Sequence, residues 1–449
     1  MWRITKRTLL ILPMVLLCLS LPAQDQQPVV LKDASLEQLI EYALNNQPAY
    51  QQAQLDQRIV DKQVAGRLAD WYPQINFLAN YQHNFKIQQI VSPSAPGGVL
   101  RLGVNNTSSV QLNASQNLFN RDVVLASQTA SNVRLQSEHA ASRSKLDLQV
   151  NTTKAFYDVL RTMQQIRIGE EDIIRLKRSL KDAESRYNAG ISDKTDFKRA
   201  TILLSNATAV LESNREALKY RTEALKAQIG YPPDQKLTIR YDSMQMENDV
   251  ALDTLDAVNY NSNVDYRVLY ITRELQRANV QYNKMAYIPT LSLFGSYIIN
   301  FQNNDFGELY NAKYPYVYAG ATLSMPIFQG FKRNLRVQEQ KFTLSRVDWE
   351  LKKLKSNLDT EYTRSLAAYR SALATYEALK QNVELAKEVY DVIQLQYANG
   401  VRAYLDVTVA ETDLQTARIN YFNALYSVLA SKMDVLRAKG ETNTSLENK

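Results

Sequence analysis

The sequence is short of the residues that build active sites and disulfide frameworks. One cysteine and two histidines occur in 449 residues. A lone Cys18 cannot form an internal disulfide and excludes a cysteine-built zinc site. His83 and His139 leave little for histidine-based chemistry, and each reads as a surface or lumen residue rather than a ligand. No cofactor motif, metal cluster, activated nucleophile or catalytic acid pair stands out. The net charge of +7 is mild for this length, which argues against a nucleic-acid binder. At 45% hydrophobic and 22% charged, the chain is too apolar to be disordered. Tyrosine is the exception to this scarcity, with 27 residues against 12 Phe and 3 Trp.

No run of eighteen apolar residues follows the N-terminus, so no transmembrane helix is expected there. At the start, Arg3, Lys6 and Arg7 precede an apolar stretch from Leu9 to Leu21, broken only by Pro13 and Ser20. A charged segment before an apolar core too short to span a bilayer is an export signal, with cleavage near Ala23. Cys18 lies inside that core and follows Leu17, where a lipoprotein signal has a small residue, so it leaves with the leader. The chain is therefore exported, and any bilayer crossing must use strands.

Proline is absent between Pro96 and Pro232 and again after Pro326. Because proline breaks helix interiors, these gaps predict very long helices. Heptad spacing agrees: Ile166, Ile173, Leu180 and Tyr187 lie seven apart, as do Leu204, Leu211, Leu218 and Leu225. Such a repeat keeps one seam of a helix against a partner. Shifted by about 210 residues, far longer than a solenoid unit, the two series become Tyr376, Val383, Tyr390, Tyr397 and Leu414, Tyr421, Val428, Val435. The same shift superposes Tyr187 and Gly190 on Tyr397 and Gly400, Asp196 on Asp406, and Gly230 on Gly440. The chain thus reads as an internal duplication. A leader (1–23) precedes a first repeat (24–240) of helix, β-hairpin, long helix and short helix; a second repeat (241–440) keeps that order, and a tail (441–449) follows.

Strands are read from a period of two. In 74–85, Ile75, Phe77, Ala79, Tyr81 and Phe85 alternate with Gln and Asn, Leu78 excepted. Val110, Leu112 and Ala114 alternate with Gln111, Asn113 and Ser115. The second repeat supplies strands near 290–301 and 317–325. Four strands of this length and pattern match outer-membrane barrel strands, although a water-soluble sheet packed on a helix would alternate in the same way. Aromatics near the strand ends (Trp71, Tyr72, Tyr287, Tyr310, Tyr314, Tyr316) resemble a membrane-interface belt.

Each long helix, 121–188 and 331–398, should extend roughly 100 Å. Short helices at about 36–70 and 192–230 should stack end to end beside the first of them. The segment 231–256 would cross at mid-height. The predicted fold is mainly α with a small β part: duplicated long antiparallel coiled-coil hairpins plus two β-hairpins. Four strands cannot close a barrel, so copies must share one. A dimer would close eight strands and a trimer twelve; spacing alone leaves this open, although a conduit favours twelve.

With these features the chain resembles the TolC family of outer-membrane efflux proteins. The markers are Leu118-Phe119 and Ile327-Phe328-Gln329-Gly330 at the strand ends, and the duplicated Tyr-x-x-Gly turn followed by an Asp. The resemblance implies a homotrimer with a shared β-barrel in the cell outer membrane and a long periplasmic tunnel. It also implies a periplasmic adaptor protein and an inner-membrane transporter as partners. In relatives a Tyr and an Arg flanking the second turn bind an Asp after the first; the matching residues are Tyr397, Arg402 and Asp196. An acidic ring maps onto Asp406, with Val409 where its companion would stand. Gly190 and Gly400 mark the tip turns. Asn120 and Arg121 depart from the pattern, standing where a Gly would follow Leu118-Phe119. The expected function is a passive trans-envelope conduit gated at its periplasmic tip. The alternative is an exported coiled-coil scaffold or adaptor without a pore; an enzyme is disfavoured.

Overall fold

The computed structural model describes residues 31–93, 97–240, 243–252 and 259–440, so the expected leader and tail lie outside the described residues. Two very long helices dominate: α3 (Arg121–Asn188), of 68 residues, and α7 (Lys332–Ala398), of 67, each about 100 Å long. At one end each turns back into a 36-residue helix, α4 (Lys194–Ile229) and α8 (Tyr404–Lys439). At the other end shorter helices lie beside them, α2 (Pro48–Ala69) on α3 and α6 (Val264–Lys284) on α7. The two hairpins are joined where α3 packs on α6 and on α8.

The short helices do stack along the long ones, and two glycines mark the joints. Gly230 ends α4 in the left-handed conformation, and a Cβ there would lie 2.7 Å from the Asn46 carbonyl oxygen. Gly440 ends α8 in the same way, 2.8 Å by the same measure from the Asn263 Cα. Only a residue without a side chain lets one helix end abut the next start so closely.

The helix expected over 36–70 is divided. Proline disfavours helical geometry in the residue before it, and Gln47 is extended (φ −72°, ψ 120°) ahead of Pro48. The Gln47 side chain accepts from the Tyr50 N–H at 2.9 Å and caps α2. The freed first piece, α1 (Leu36–Asn46), packs on α3 and α4 at mid-height. There Leu39, Leu160, Leu225, Ile229, Leu425, Val428 and Leu429 form the largest core, with Tyr231, Leu237, Met246 and Val250 of the crossing segment. The crossing includes a one-turn helix, α5 (Ser243–Asn248), and Tyr369 donates its hydroxyl to the Val250 carbonyl at 2.8 Å.

The second-repeat seam positions Tyr376, Tyr390, Leu414, Tyr421, Val428 and Val435 are buried. In α3 the apolar series Ile166, Ile173 and Leu180 is only half-buried. The buried track beside it is Thr162, Leu176 and Ala183, with Asp172 among them. Thr162, Asp172 and Ala183 on that track are polar or small, so counting only large apolar residues misplaces it.

Four strands form one antiparallel sheet in the order β1–β4–β5–β6, with β1 Gln74–His83, β4 Asn106–Phe119, β5 Thr290–Asn303 and β6 Tyr314–Ser324. A second small ribbon, β2 (Gln88–Val91) and β3 (Val99–Leu102), sits in the β1–β4 connection and was not expected from the sequence. Register places Phe77, Leu112, Tyr297 and Val317 on one rung. Ala79, Val110, Ile299 and Pro315 form another on the same face. The rung between them is Leu78, Gln111, Ile298 and Tyr316, and the rung beyond Phe77 is Asn76, Asn113, Ser296 and Tyr318, so one face is apolar and the other mixed, with its polar residues concentrated on β1 and β4.

No helix covers the apolar face among the described residues: Ile75, Phe77 and Val317 are each about two-thirds exposed. Among the described residues the outer edges of β1 and β6 are unpaired. The water-soluble alternative, a sheet packed on a helix, does not describe this arrangement. No described helix is long and apolar enough to cross a membrane.

The two strand-to-helix joins differ. Asn120 alone separates β4 from α3, and its side chain accepts from the Asp122 N–H at 2.8 Å. The β6–α7 join is longer and ends in Phe331, left-handed at φ 62°, with no side-chain cap.

Candidate gate at the helical tip

At the end of the rod away from the sheet, both hairpins turn through the same motif. The N–H of Ile191 donates to the Arg186 carbonyl (2.9 Å) and that of Gly190 to the Tyr187 carbonyl (3.0 Å). Val401 donates to Gln396 (2.9 Å) and Gly400 to Tyr397 (3.0 Å) in the second turn. These are paired Schellman closures, with Gly190 at φ 71° and Gly400 at φ 75°. The next helices start differently. Asp193 accepts from the Thr195 N–H at 3.0 Å, whereas Ala403 offers α8 no side-chain cap.

Asp196 and Asp406 occupy equivalent first-turn positions, where the helix macrodipole favours a negative charge. Asp196 lies 3.9 Å from Arg199 on its own helix. Arg402 donates Nε to Gln396 at 3.1 Å and lies 3.8 Å from Asp406. Val409, one turn further along α8, is exposed.

Tyr397 is the centre of the tip. Its ring packs at 5.7 Å from the Tyr404 ring, and the Arg186 guanidinium lies over it at 4.5 Å. Its hydroxyl is buried and without a hydrogen-bond partner among the described residues. Burial pushes that hydroxyl above its ordinary pKa; Arg186 opposes the shift, while the Asp196 and Asp182 charges add to it. Tyr404 is buried with Ala183 and Ala200, and its hydroxyl bonds the Ser179 hydroxyl at 2.9 Å.

Within one chain, then, the structure brings Asp196 close enough to act on Tyr397 and joins Arg402 to Asp406. It does not place Asp196 in direct hydrogen bond with Tyr397 or Arg402. The contacts that tie hairpin to hairpin here are Arg186 on Tyr397 and Ser179 with Tyr404, which periodicity alone did not single out. A signal existed for one of them, because Arg186 stands where the second repeat has Gln396.

Further from the turns, α3 and α8 share a buried charge network. Arg175 pairs with Asp172 and lies 3.6 Å from Glu411. Arg418 bonds Glu171 at 2.8 Å and lies 4.0 Å from Asp172. Asp172 and Glu411 are both buried, and burial raises each carboxyl, with Arg175 opposing. Removing one partner of such a network leaves an uncompensated buried charge, which is strongly destabilising.

Comparison with known proteins places the architecture. The chain is 24% identical to the outer membrane protein TolC of Vibrio cholerae over 383 residues, 82% of each chain. It is 22% identical to the outer membrane protein TolC of Salmonella enteritidis over 353 residues, 76% of this chain and 71% of that one. In fold it is similar to CusC, described for its transmembrane channel formation, with a TM-score of 0.75 at 19% identity over 92% of this chain and 94% of that one. The model of the outer membrane efflux protein family matches residues 39–231 and 261–441. With the uncovered apolar sheet, the paired rods and a match over most of its length, the chain belongs to the outer membrane efflux protein family.

Proposed function

We propose that three copies of this outer-membrane efflux protein close a twelve-stranded barrel and continue it into the periplasm as a helical tunnel. The observation that carries this is the four-stranded sheet with a bare apolar face and two open edges. In a bilayer each unsatisfied backbone group costs several kcal/mol, so β1 of one copy pairs with β6 of the next. Eight strands would leave a barrel filled by side chains, whereas twelve leave room for a channel. The helices then bundle below the barrel, and the tunnel narrows where the Gly190 and Gly400 turns meet.

The conduit is passive. It acts on cargo without chemistry of its own, and energy comes from an inner-membrane transporter linked through a periplasmic adaptor. Asp196, Tyr397, Arg402 and Asp406 form the gate, with Asp196 reaching Tyr397 and Arg402 across hairpins or between copies. The two repeats, 24–240 and 241–440, act as equivalent halves of each subunit; the identical turn geometry and matched glycine joints support that division.

The purified chain in planar bilayers tests the reading. Discrete conductance steps from a particle with the mass of three chains are expected, and Asp196→Ala with Arg402→Ala should enlarge the steps. A single-chain particle that salt washing releases from membranes would instead mark a scaffold.

A further inference from the structure

A cavity of about 220 Å³ lies where the barrel meets the rod, at the ends of β5 and β6. It is smaller than the roughly 300–1,000 Å³ of drug-sized sites. Its lining is unusual in charge: Arg121, Arg333 and Arg336 all border it, with Asn283, Thr290 and Ser324 adding polar atoms.

Two of these arginines are held in place from behind. Arg121 lies over the Tyr282 ring at 4.5 Å. Arg333 donates to the Ile327 carbonyl at 2.9 Å and lies over the Tyr287 ring at 4.6 Å. Arg336 is exposed and has no acidic or carbonyl partner among the described residues. The nearby Asp122 is engaged by the Tyr282 hydroxyl. Three cations therefore share one small space without a bound carboxylate, next to an α7 start that also carries Lys332 and no acid. Like charges so arranged repel one another, and the helix macrodipole adds to that repulsion. An anion in the cavity relieves both.

The surroundings indicate which anion. Ile327, Phe328 and Phe331, on the connection beside the cavity, are 86%, 74% and 73% exposed. Phe328 and Phe331 meet edge to face at 5.8 Å. An apolar shelf beside a basic pocket, at the rod-side end of a membrane-facing sheet, matches a molecule with a charged phosphate and hydrocarbon chains. A free phosphate would have no use for the shelf. Clustered basic residues at a bilayer surface attract anionic lipid in this way.

We propose that this cavity binds the phosphate of an anionic phospholipid of the periplasmic leaflet, with its acyl chains against Ile327, Phe328 and Phe331. The inference rests on the outer-membrane placement and makes the junction a lipid-anchored collar.

The test uses the full protein in vesicles of phosphatidylcholine doped with phosphatidylglycerol, followed by mild detergent stripping and quantification of retained lipid. Wild-type protein should retain phosphatidylglycerol in preference to phosphatidylcholine. Arg336→Gln should cut that preference about fivefold, and Arg121→Gln added to it about fivefold again. Lys353→Gln, lower on α7, should leave it unchanged. Equal retention of both lipids by wild type would overturn the proposal, as would release of the lipid by millimolar inorganic phosphate, which would mark a simple phosphate site. The wild-type arms decide even if a variant fails to assemble. Conductance steps from the same preparation separate the two readings: working channels without lipid preference overturn this proposal alone.

Discussion

The middle of the rod and its tip are built from the same helices but held by different means. At mid-height α1, α3, α4, α7, α8 and the crossing segment converge on one large apolar core, with Leu39, Leu225, Leu425 and Val428 fully enclosed. At the tip the shared core shrinks to Ala183, Ala200 and Tyr404, edged by Leu180 and Tyr397. Stabilisation scales with apolar area removed from water, at roughly 25 cal/mol per Å². The middle is thus the fixed girdle, and the tip is a region of low local opening energy. Between them, the Asp172–Arg175–Glu411–Arg418 network ties α3 to α8 without adding much apolar burial.

Substitutions should separate these regions in order of size. Leu425→Ala, in the girdle, should cost about 3 kcal/mol through the cavity it leaves, seen as a lowered denaturation midpoint. The same truncation at half-buried Leu180 should cost clearly less; equal losses would remove the contrast.

Arg175→Met comes next, at about 3 kcal/mol or somewhat less, because it leaves Asp172 and Glu411 buried together. Its pH dependence has a definite sign. Burial raises both carboxyls in the folded chain, so the folded state binds protons more tightly than the unfolded one. The stability this provides is present at low pH and is lost as pH rises through the raised pKa. The variant should therefore melt higher near pH 5 than near pH 7, and the reverse order in a thermal scan would refute the burial argument.

Glycine replacements give a smaller and more local contrast. Gly190→Ala meets open space and carries only the strain of a left-handed residue, about 1 kcal/mol. Gly230→Ala carries the same strain plus the clash with the Asn46 carbonyl, so its loss in a denaturant titration should be larger.

Much of this architecture is legible in the sequence because single residues enforce it. The absence of proline permits α3 and α7, and Gly190 and Gly400 end them where expected. The break at Gln47 was equally visible in Pro48, but matching one length of 36–70 to the long helix passed over it. The β2–β3 ribbon escaped notice because four-residue strands carry too little alternation to register. The candidate gate was only partly legible. Asp196, Tyr397, Arg402 and Asp406 were implied by the family resemblance, at matching offsets from the two glycines, which are local. Arg186 over Tyr397, and Arg175 beside Glu411, join residues more than two hundred positions apart, and heptad counting says nothing about which faces of two hairpins meet.

The central claim is that the tip is a lightly held gate on a pore built by several copies. Single-channel conductance of Tyr397→Ala in planar bilayers tests it most directly, since that ring contacts both Arg186 and Tyr404. A gate there predicts larger conductance steps from an assembly whose melting midpoint barely moves. Steps identical to wild type, from equally well-assembled protein, would contradict it.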